Sequence, residues 1–419
     1  MSFRGLEVCV SRSEYKFPDC LLYNLFGSLL YPNQFGILTS TTMTSAPEHN
    51  LIVGAGVFGL STALALVSRP QYESTRRITV LDSSPTLPNP TGSSVDSSRI
   101  VRPDYAAAPY ARLAVAAQKL WRNRSTDGWG GEGRYHEPGF LLTAETGRAA
   151  YLEKSLVTVS EVVKQVGGDD SGRQIEVLRD KDEIRRASGY ETASGDFGYV
   201  NWGSGWADAQ ACVAWALDRL KKKGGDRLAL RKGIKVARLL YERSATEKSR
   251  CAGVELEDGE KITSDLTIVA AGAWTPTLID LQGRAVATGQ AMAYLNISEE
   301  EQRAMENRPT VMNLSLGLFI IPPRKRELKV ARHGYGYRNP QKIQIATGVD
   351  ADGTSRHVWT EVSVPEVQHE IPLEAREACT TALREFLPEM VGRKFSRTRI
   401  CWYCDTYDFC FSACCGHLY

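Results

Sequence analysis

Several things are scarce in this sequence, beginning with net charge. Its 51 Lys and Arg face 49 Asp and Glu, leaving +2, so nothing global draws the chain to nucleic acid or to an anionic membrane. The clusters Lys221, Lys222, Lys223 and Arg324, Lys325, Arg326 read as solvated helix ends or loop tips. No run reaches the roughly 20 apolar residues that span a bilayer. The most apolar early stretch, Cys20 to Leu38, is interrupted by Asn24, Pro32, Asn33 and Gln34. Glu7, Glu14 and Asp19 precede it, which does not fit the basic opening of a secretory signal. Internal repeats and low-complexity tracts are also lacking. Cys401-x-x-Cys404 with His417 nearby offers ligands that suit zinc, yet no second CxxC stands at a matching distance. Cys9, Cys20, Cys212, Cys251 and Cys379 are scattered, whereas Cys401, Cys404, Cys410, Cys414 and Cys415 crowd the end. The expectation is neither a disulfide scaffold nor a metal site.

What is present describes a folded enzyme-sized chain. With 419 residues, 42% hydrophobic and 24% charged, it is too apolar for disorder and has room for two or three domains, or for one doubly wound unit with an inserted partner. A second methionine, Met43, opens MTSAPEHNLIVGAGVFG; residues 1–42 are expected to be an upstream extension with little part in the fold.

From Leu51-Ile52-Val53 the chain passes into Gly54-Ala55-Gly56-Val57-Phe58-Gly59 and a helix-like run to Leu66. This is the grammar of a dinucleotide loop. Gly54 permits the tight turn, Gly56 lets the backbone approach a pyrophosphate, Gly59 lets helix and strand pack closely, and the helix N-terminus, at Val57 and Phe58, attracts phosphate. The next strand, Ile78-Thr79-Val80-Leu81, ends at Asp82, an acid placed to accept hydrogen bonds from a ribose diol. FAD and NAD share this fingerprint, so other segments must decide between them.

Three do. Ser93-Ser94-Val95-Asp96-Ser97-Ser98-Arg99-Ile100-Val101-Arg102 is a small-residue loop leading into two arginines. Leu266 to Ala270 reads as a buried strand, with Ala271-Gly272-Ala273-Trp274 as a small-residue turn before a helix. The third is Arg399-Ile400-Cys401-Trp402-Tyr403. Together they resemble the amine-oxidising flavoproteins of the monomeric sarcosine oxidase family, especially its fungal branch of saccharopine, pipecolate and fructosyl amino acid oxidases. The likeness runs from about Met43 to Asp408.

The resemblance implies FAD, attached by a thioether to Cys401, and a facing tyrosine, Tyr403. It places Ser97, Ser98 and Arg99 against the flavin, Arg102 on the substrate carboxylate, and Gly272 and Trp274 among the cofactor contacts. Arginine suits a carboxylate because its planar fork binds it bidentately and stays charged. Fructosyl amino acid oxidases often carry lysine where Arg99 stands, so two arginines favour a plain secondary amino acid. Leu328-Lys329-Val330-Ala331-Arg332-His333 looks like the strand that sets a lysine, Lys329, to activate oxygen near the flavin, with His333 as a pocket wall or pH-sensitive contact. Ile234-Lys235-Val236 looks like a strand touching the adenine through Val236. Gly203 to Asp208 resembles a segment leading into a helix that ends near Leu220.

The implied reaction oxidises the C–N bond of a secondary amino acid, of sarcosine, pipecolate or saccharopine type, with O2 as acceptor. It yields an imine, then aldehyde, and H2O2. The expected fold is α/β, a doubly wound Rossmann-like FAD domain (43–130, 201–282, 396–419) interleaved with an α+β substrate domain on a mixed sheet (131–200, 283–395), acting as a monomer. Gly283 to Gln290 and Pro322-Pro323 are expected as crossing points, and an amphipathic helix at about Ala111 to Trp121. After Asp405-Thr406 the family continues through a glycine-rich segment with another lysine, which residues 407–419 do not match. One alternative is therefore a truncated FAD-binding remnant without turnover; the other, since pocket size depends on side-chain geometry, is a fructosyl amino acid oxidase. The last residues carry no Ser-Lys-Leu-like address, which leaves the cytoplasm as the expected compartment.

Overall fold

The computed structural model describes residues 47–72, 76–166, 175–243, 249–367 and 370–406. The front extension, the stretch after Thr406 and the cysteines and His417 within it lie outside the described residues.

His49–Val53 pairs in parallel with Arg77–Asp82 on one side and Leu266–Val269 on the other, and Leu228–Lys232 extends the sheet to four strands. Parallel strands covered on both faces read as continuous apolar runs, which is why Leu51-Ile52-Val53 and Ile78 to Leu81 lack alternation. One face is covered by the helices Val57–Val67 and Ala209–Gly224, through Ile52, Leu60, Leu66, Val80, Val213 and Leu217. On the other, Leu51, Val53 and Leu81 meet Leu239, Val254 and Leu256 of a three-stranded antiparallel sheet.

Local details differ from the sequence expectations. Leu266–Val269 is half-buried rather than buried, because it is the edge strand, and it is followed by a 3-10 turn, Gly272–Thr277, with Pro276 inside it, in place of an α-helix. Ile234 and Lys235 form a connection after the Gly233 turn, and the strand begins only at Val236. The helix expected from Ala111 starts at Ala108, with Pro109 in its first turn, where a missing N–H costs nothing. That beginning near Ala209 is capped by Asp208, whose carboxylate accepts from the Ala211 amide at 3.0 Å, and it runs past Leu220 so that Lys221, Lys222 and Lys223 occupy its last turn, the end that favours cations.

The second body is an eight-stranded mixed sheet in the order Arg397–Thr406, Ala285–Asn296, Glu327–Arg332, Leu318–Arg324, Thr310–Asn313, Phe140–Ala144, Phe197–Asn201 and Ile175–Leu178. Only the pair Thr310–Asn313 with Phe140–Ala144 is parallel. Of Gly283 to Gln290, only Gly283 and Arg284 belong to the connection by which the chain passes from the parallel sheet to the large one; from Ala285 it is a strand second from the sheet edge. Pro322 and Pro323 likewise sit inside a strand, at the register shift between Ile321 and Arg324, where a bulge tolerates a residue that cannot donate.

Side chains alternate across this sheet with period two. Ala291, Ala293, Leu295, Leu328, Val330, Ile400 and Trp402 face the helix Leu373–Phe386. Met292, Tyr294, Phe319, Ala331 and Cys401 occupy the opposite core. Lys329 and Tyr403, in phase with these, share that second face. A one-residue slip would reverse the whole set.

Candidate active site

A cavity of about 860 Å³ opens where the two bodies meet. At one end is the glycine-rich loop. Gly54 has φ +107°, and a Cβ there would lie 2.3 Å from the Ala270 carbonyl oxygen; a Cβ on Gly59 would lie 1.8 Å from the Gly54 oxygen. Both positions therefore need glycine for strand–helix contact. Gly56 is different. Its nearest protein neighbour would be Ser94 Oγ at 3.2 Å, so the cradle above it is left to a ligand. Asp82 lines the cavity, its carboxylate fixed by the Ala55 amide (2.8 Å), the Ser84 amide (2.9 Å) and Asn89 Nδ2 (3.0 Å). With about four acceptor positions on a carboxylate, one remains for a hydroxyl. Val57, Phe58, Val236, Gly272 and Trp274 line the same cavity.

The chain belongs to the FAD-dependent oxidoreductase family. The sequence pattern of the family described as FAD dependent oxidoreductase (DAO) matches residues 50–414. An amino acid oxidase of Aspergillus flavus is 31% identical over 412 residues, covering 86% of this chain and 84% of that protein. The L-saccharopine oxidase of Schizosaccharomyces pombe is 27% identical, covering 85% and 80%. Among solved structures, the fructosyl amine:oxygen oxidoreductase Amadoriase I of Aspergillus fumigatus superposes with TM-score 0.66 at 25% identity, over 88% of this chain and 78% of that one. The residues present fit FAD: an open cradle over Gly56, an acid with one free acceptor position, and a cavity that continues to the large sheet.

At the other end of the FAD cavity lie Arg99, Arg102, Tyr105 and Tyr403. Sheet and loop are tied by arginines. Arg399 donates to the carbonyls of Val95 (2.6 Å) and Gly92 (2.8 Å), and Arg99 to that of Ser93 (3.0 and 2.8 Å). Arg99 Nη2 is also 3.0 Å from Cys401 Sγ, and its guanidinium lies 5.8 Å from the Tyr403 ring centre. Cys401 itself is fully buried beneath the cavity lining. His333 and Tyr403 have ring centres 6.4 Å apart. Local desolvation holds the imidazole of His333, an exposed residue, below its usual 6.5, and burial raises the Tyr403 hydroxyl to about 12, so both are neutral at pH 7.

Lys329 is no exposed edge residue. It is 2% exposed, and its ammonium donates to Asp96 Oδ2 at 2.6 Å and to the Ser98 carbonyl at 3.0 Å. Ser93 and Ser94 line the cavity where Ser97 and Ser98 stand behind it, so the loop offers its first serines to that space and its last ones to the sheet.

Three participants carried no warning in the sequence. Asp96 is wholly buried, accepting from Lys329, Arg99, Tyr294 and the Ser97 amide. Tyr294 looks like one more apolar residue of an inward strand face until its hydroxyl is seen 2.6 Å from Asp96. Asp104, also buried, accepts from Asn201 (3.0 Å) and Ser204 (2.7 Å), and burial raises its carboxyl above the ordinary range. Two acids flanking the short strand Arg99–Val101 were the available signal. Among the described residues no group of three or more His, Cys, Asp or Glu could hold a metal, and no helix is long and apolar enough to cross a membrane.

Proposed function

We propose that this FAD-dependent oxidoreductase oxidises the C–N bond of a secondary amino acid, with O2 as acceptor. One observation carries the substrate class: Arg102 Nη1 is buried without a hydrogen-bond partner in the cavity wall. Its guanidinium stacks 4.4 Å from the Tyr105 ring centre and 5.6 Å from that of Phe140. A buried, always-charged donor left unpaired is costly, and a carboxylate entering the cavity would satisfy it. The amino acid oxidase and L-saccharopine oxidase relatives support the same class.

Bound FAD would supply the two-electron acceptor chemistry that links oxidation of the carbon beside the substrate nitrogen to reduction of oxygen. The chain's own residues do the rest. Arg102 grips the carboxylate and so orients the reacting carbon, which is a proximity effect. Tyr403, which is neutral, walls the pocket without drawing the amine into an ion pair, and the neutral His333 stands beside its ring. Lys329 supplies a fixed positive charge on the oxygen side. Cys401, the buried thiol of the segment beside the loop, carries the cofactor covalently.

A fructosyl amino acid is the second reading, favoured by the likeness to Amadoriase I; arginine at 99 weighs against it. The test is peroxide release by the purified FAD-loaded protein with sarcosine, pipecolate, saccharopine and a fructosyl amino acid. Peroxide with one of the first three is expected. Turnover of the fructosyl compound alone would establish the second reading, and silence with all four would end both.

A further inference from the structure

Lys329 and Arg99 come from different parts of the chain, a strand of the large sheet and the start of the short strand Arg99–Val101, yet both rest on one carboxylate oxygen. Asp96 Oδ2 is 2.6 Å from Lys329 Nζ and 2.9 Å from Arg99 Nη1, while Oδ1 accepts from Tyr294 (2.6 Å) and from the Ser97 amide (2.7 Å). The Asp96 side chain is 0% and the Lys329 side chain 2% exposed. All of the acid's acceptor capacity is thus taken up inside the protein. An ammonium has three donors; Asp96 and the Ser98 carbonyl take two of them among the described residues.

We propose that Asp96 is the positioning residue of the oxygen-side machinery, keeping Lys329 charged and aimed while holding Arg99 beside Cys401. The proposal rests on the role assigned to Lys329 above and explains how that lysine can exist. A buried ammonium without a counter-charge sheds its proton. Two cations on one anion leave a net positive charge of one at the sheet face that meets the cavity. Tyr294 enters the same network from the neighbouring strand, in direct register with Lys329. The groups facing Lys329 are Asp96, Arg99 and Cys401; Tyr294, Tyr403 and Arg397 surround that set. Burial brings Lys329 down to about 8 against the pull of Asp96, and Lys329 and Arg99 outweigh burial to hold the Asp96 carboxyl well below its ordinary range. At pH 7 the pair is therefore ionised.

The test compares wild type, D96N, K329M and the double variant, FAD-loaded, by thermal melting from pH 6 to 10 and by the oxygen-consuming phase over the same range. Folded Lys329 holds its proton less tightly than unfolded Lys329, so wild type should gain in Tm relative to K329M as pH rises above about 8. In the D96N background the corresponding gain should begin at least about one pH unit lower, and at pH 8 the oxygen phase should be slower by about fivefold or more, recovering toward pH 6. A gain that starts at the same pH, or an oxygen phase reduced equally at every pH, would overturn the proposal and leave Asp96 as a loop anchor only. Should D96N fail to fold, the double variant decides. Restored folding points to a stranded Lys329 charge and supports the proposal, whereas continued failure refutes it. K329M with an unchanged oxygen phase and shifted melts would instead overturn the oxygen role of Lys329, while the Asp96 hold on its charge stands.

Discussion

Replacing Arg102 by methionine separates a substrate anchor from a structural arginine, because only the structural role makes the change costly to the fold. The guanidinium stacks on Tyr105 and Phe140, but its Nη1 has no protein partner. Methionine keeps most of the apolar stem and removes a charge whose Nη1 donor is unsatisfied, although Asp104 and the tyrosines around it favour that charge. Folding stability should therefore stay within about 1 kcal/mol of wild type. Substrate binding should suffer. A hydrogen bond to a charged group is worth about 1.5–3 kcal/mol, so losing a bidentate pair costs about 3–5 kcal/mol. At about 1.4 kcal/mol per tenfold, kcat/KM should fall by about 10²–10³ or more. R102K, which keeps the charge but loses the fork, should recover part of this. The assays are a denaturant melt and peroxide-coupled kinetics on the same preparations. A variant destabilised by more than about 2 kcal/mol with an unchanged KM would refute the reasoning, since the arginine would then be holding the fold.

Replacing Cys401 by alanine should free the flavin on denaturation, whereas wild-type polypeptide should retain the yellow absorbance; colour that persists on the variant would place the link elsewhere. Gly59→Ala puts a methyl group 1.8 Å from the Gly54 oxygen, so it should cost about 3 kcal/mol or more and weaken FAD retention; a normal melt with full FAD content would contradict the close packing. Local desolvation lowers the His333 pKa, so the unfolded chain takes up this proton first as pH drops below 6.5 and native stability falls there. His333→Asn should lessen that acid loss and change nothing above pH 7; an unaltered slope between pH 6.5 and 5 would show that His333 does not contribute.

The glycine loop, the strands beside it and the acid at Asp82 were legible because they depend on local grammar. A positive φ at Gly54 and a helix start at Val57 are set by residues that adjoin in sequence. Cys401 and Tyr403 were legible as a motif, and strand alternation explains why they lie on one face, with Ile400 and Trp402 on the other. What escaped was polar and long-range. Asp96 reads as one acid in a serine loop, and Tyr294 as one aromatic residue in an apolar strand, until the fold brings residues 198 apart in the chain within hydrogen-bond distance. Pro322-Pro323 misled for a related reason: proline usually marks a break, but here a bulge between strands absorbs it.

By itself, then, the sequence determined the class of molecule: a chain of balanced charge with a dinucleotide loop, paired arginines and a cysteine–tyrosine strand, all encoded within short windows. Only the tertiary structure decided which charges meet. Desolvation and pairing act over a few ångströms of space, and Asp96, Lys329 and Arg99 become one paired unit only when the loop after the first βαβ segment is pressed against the large sheet.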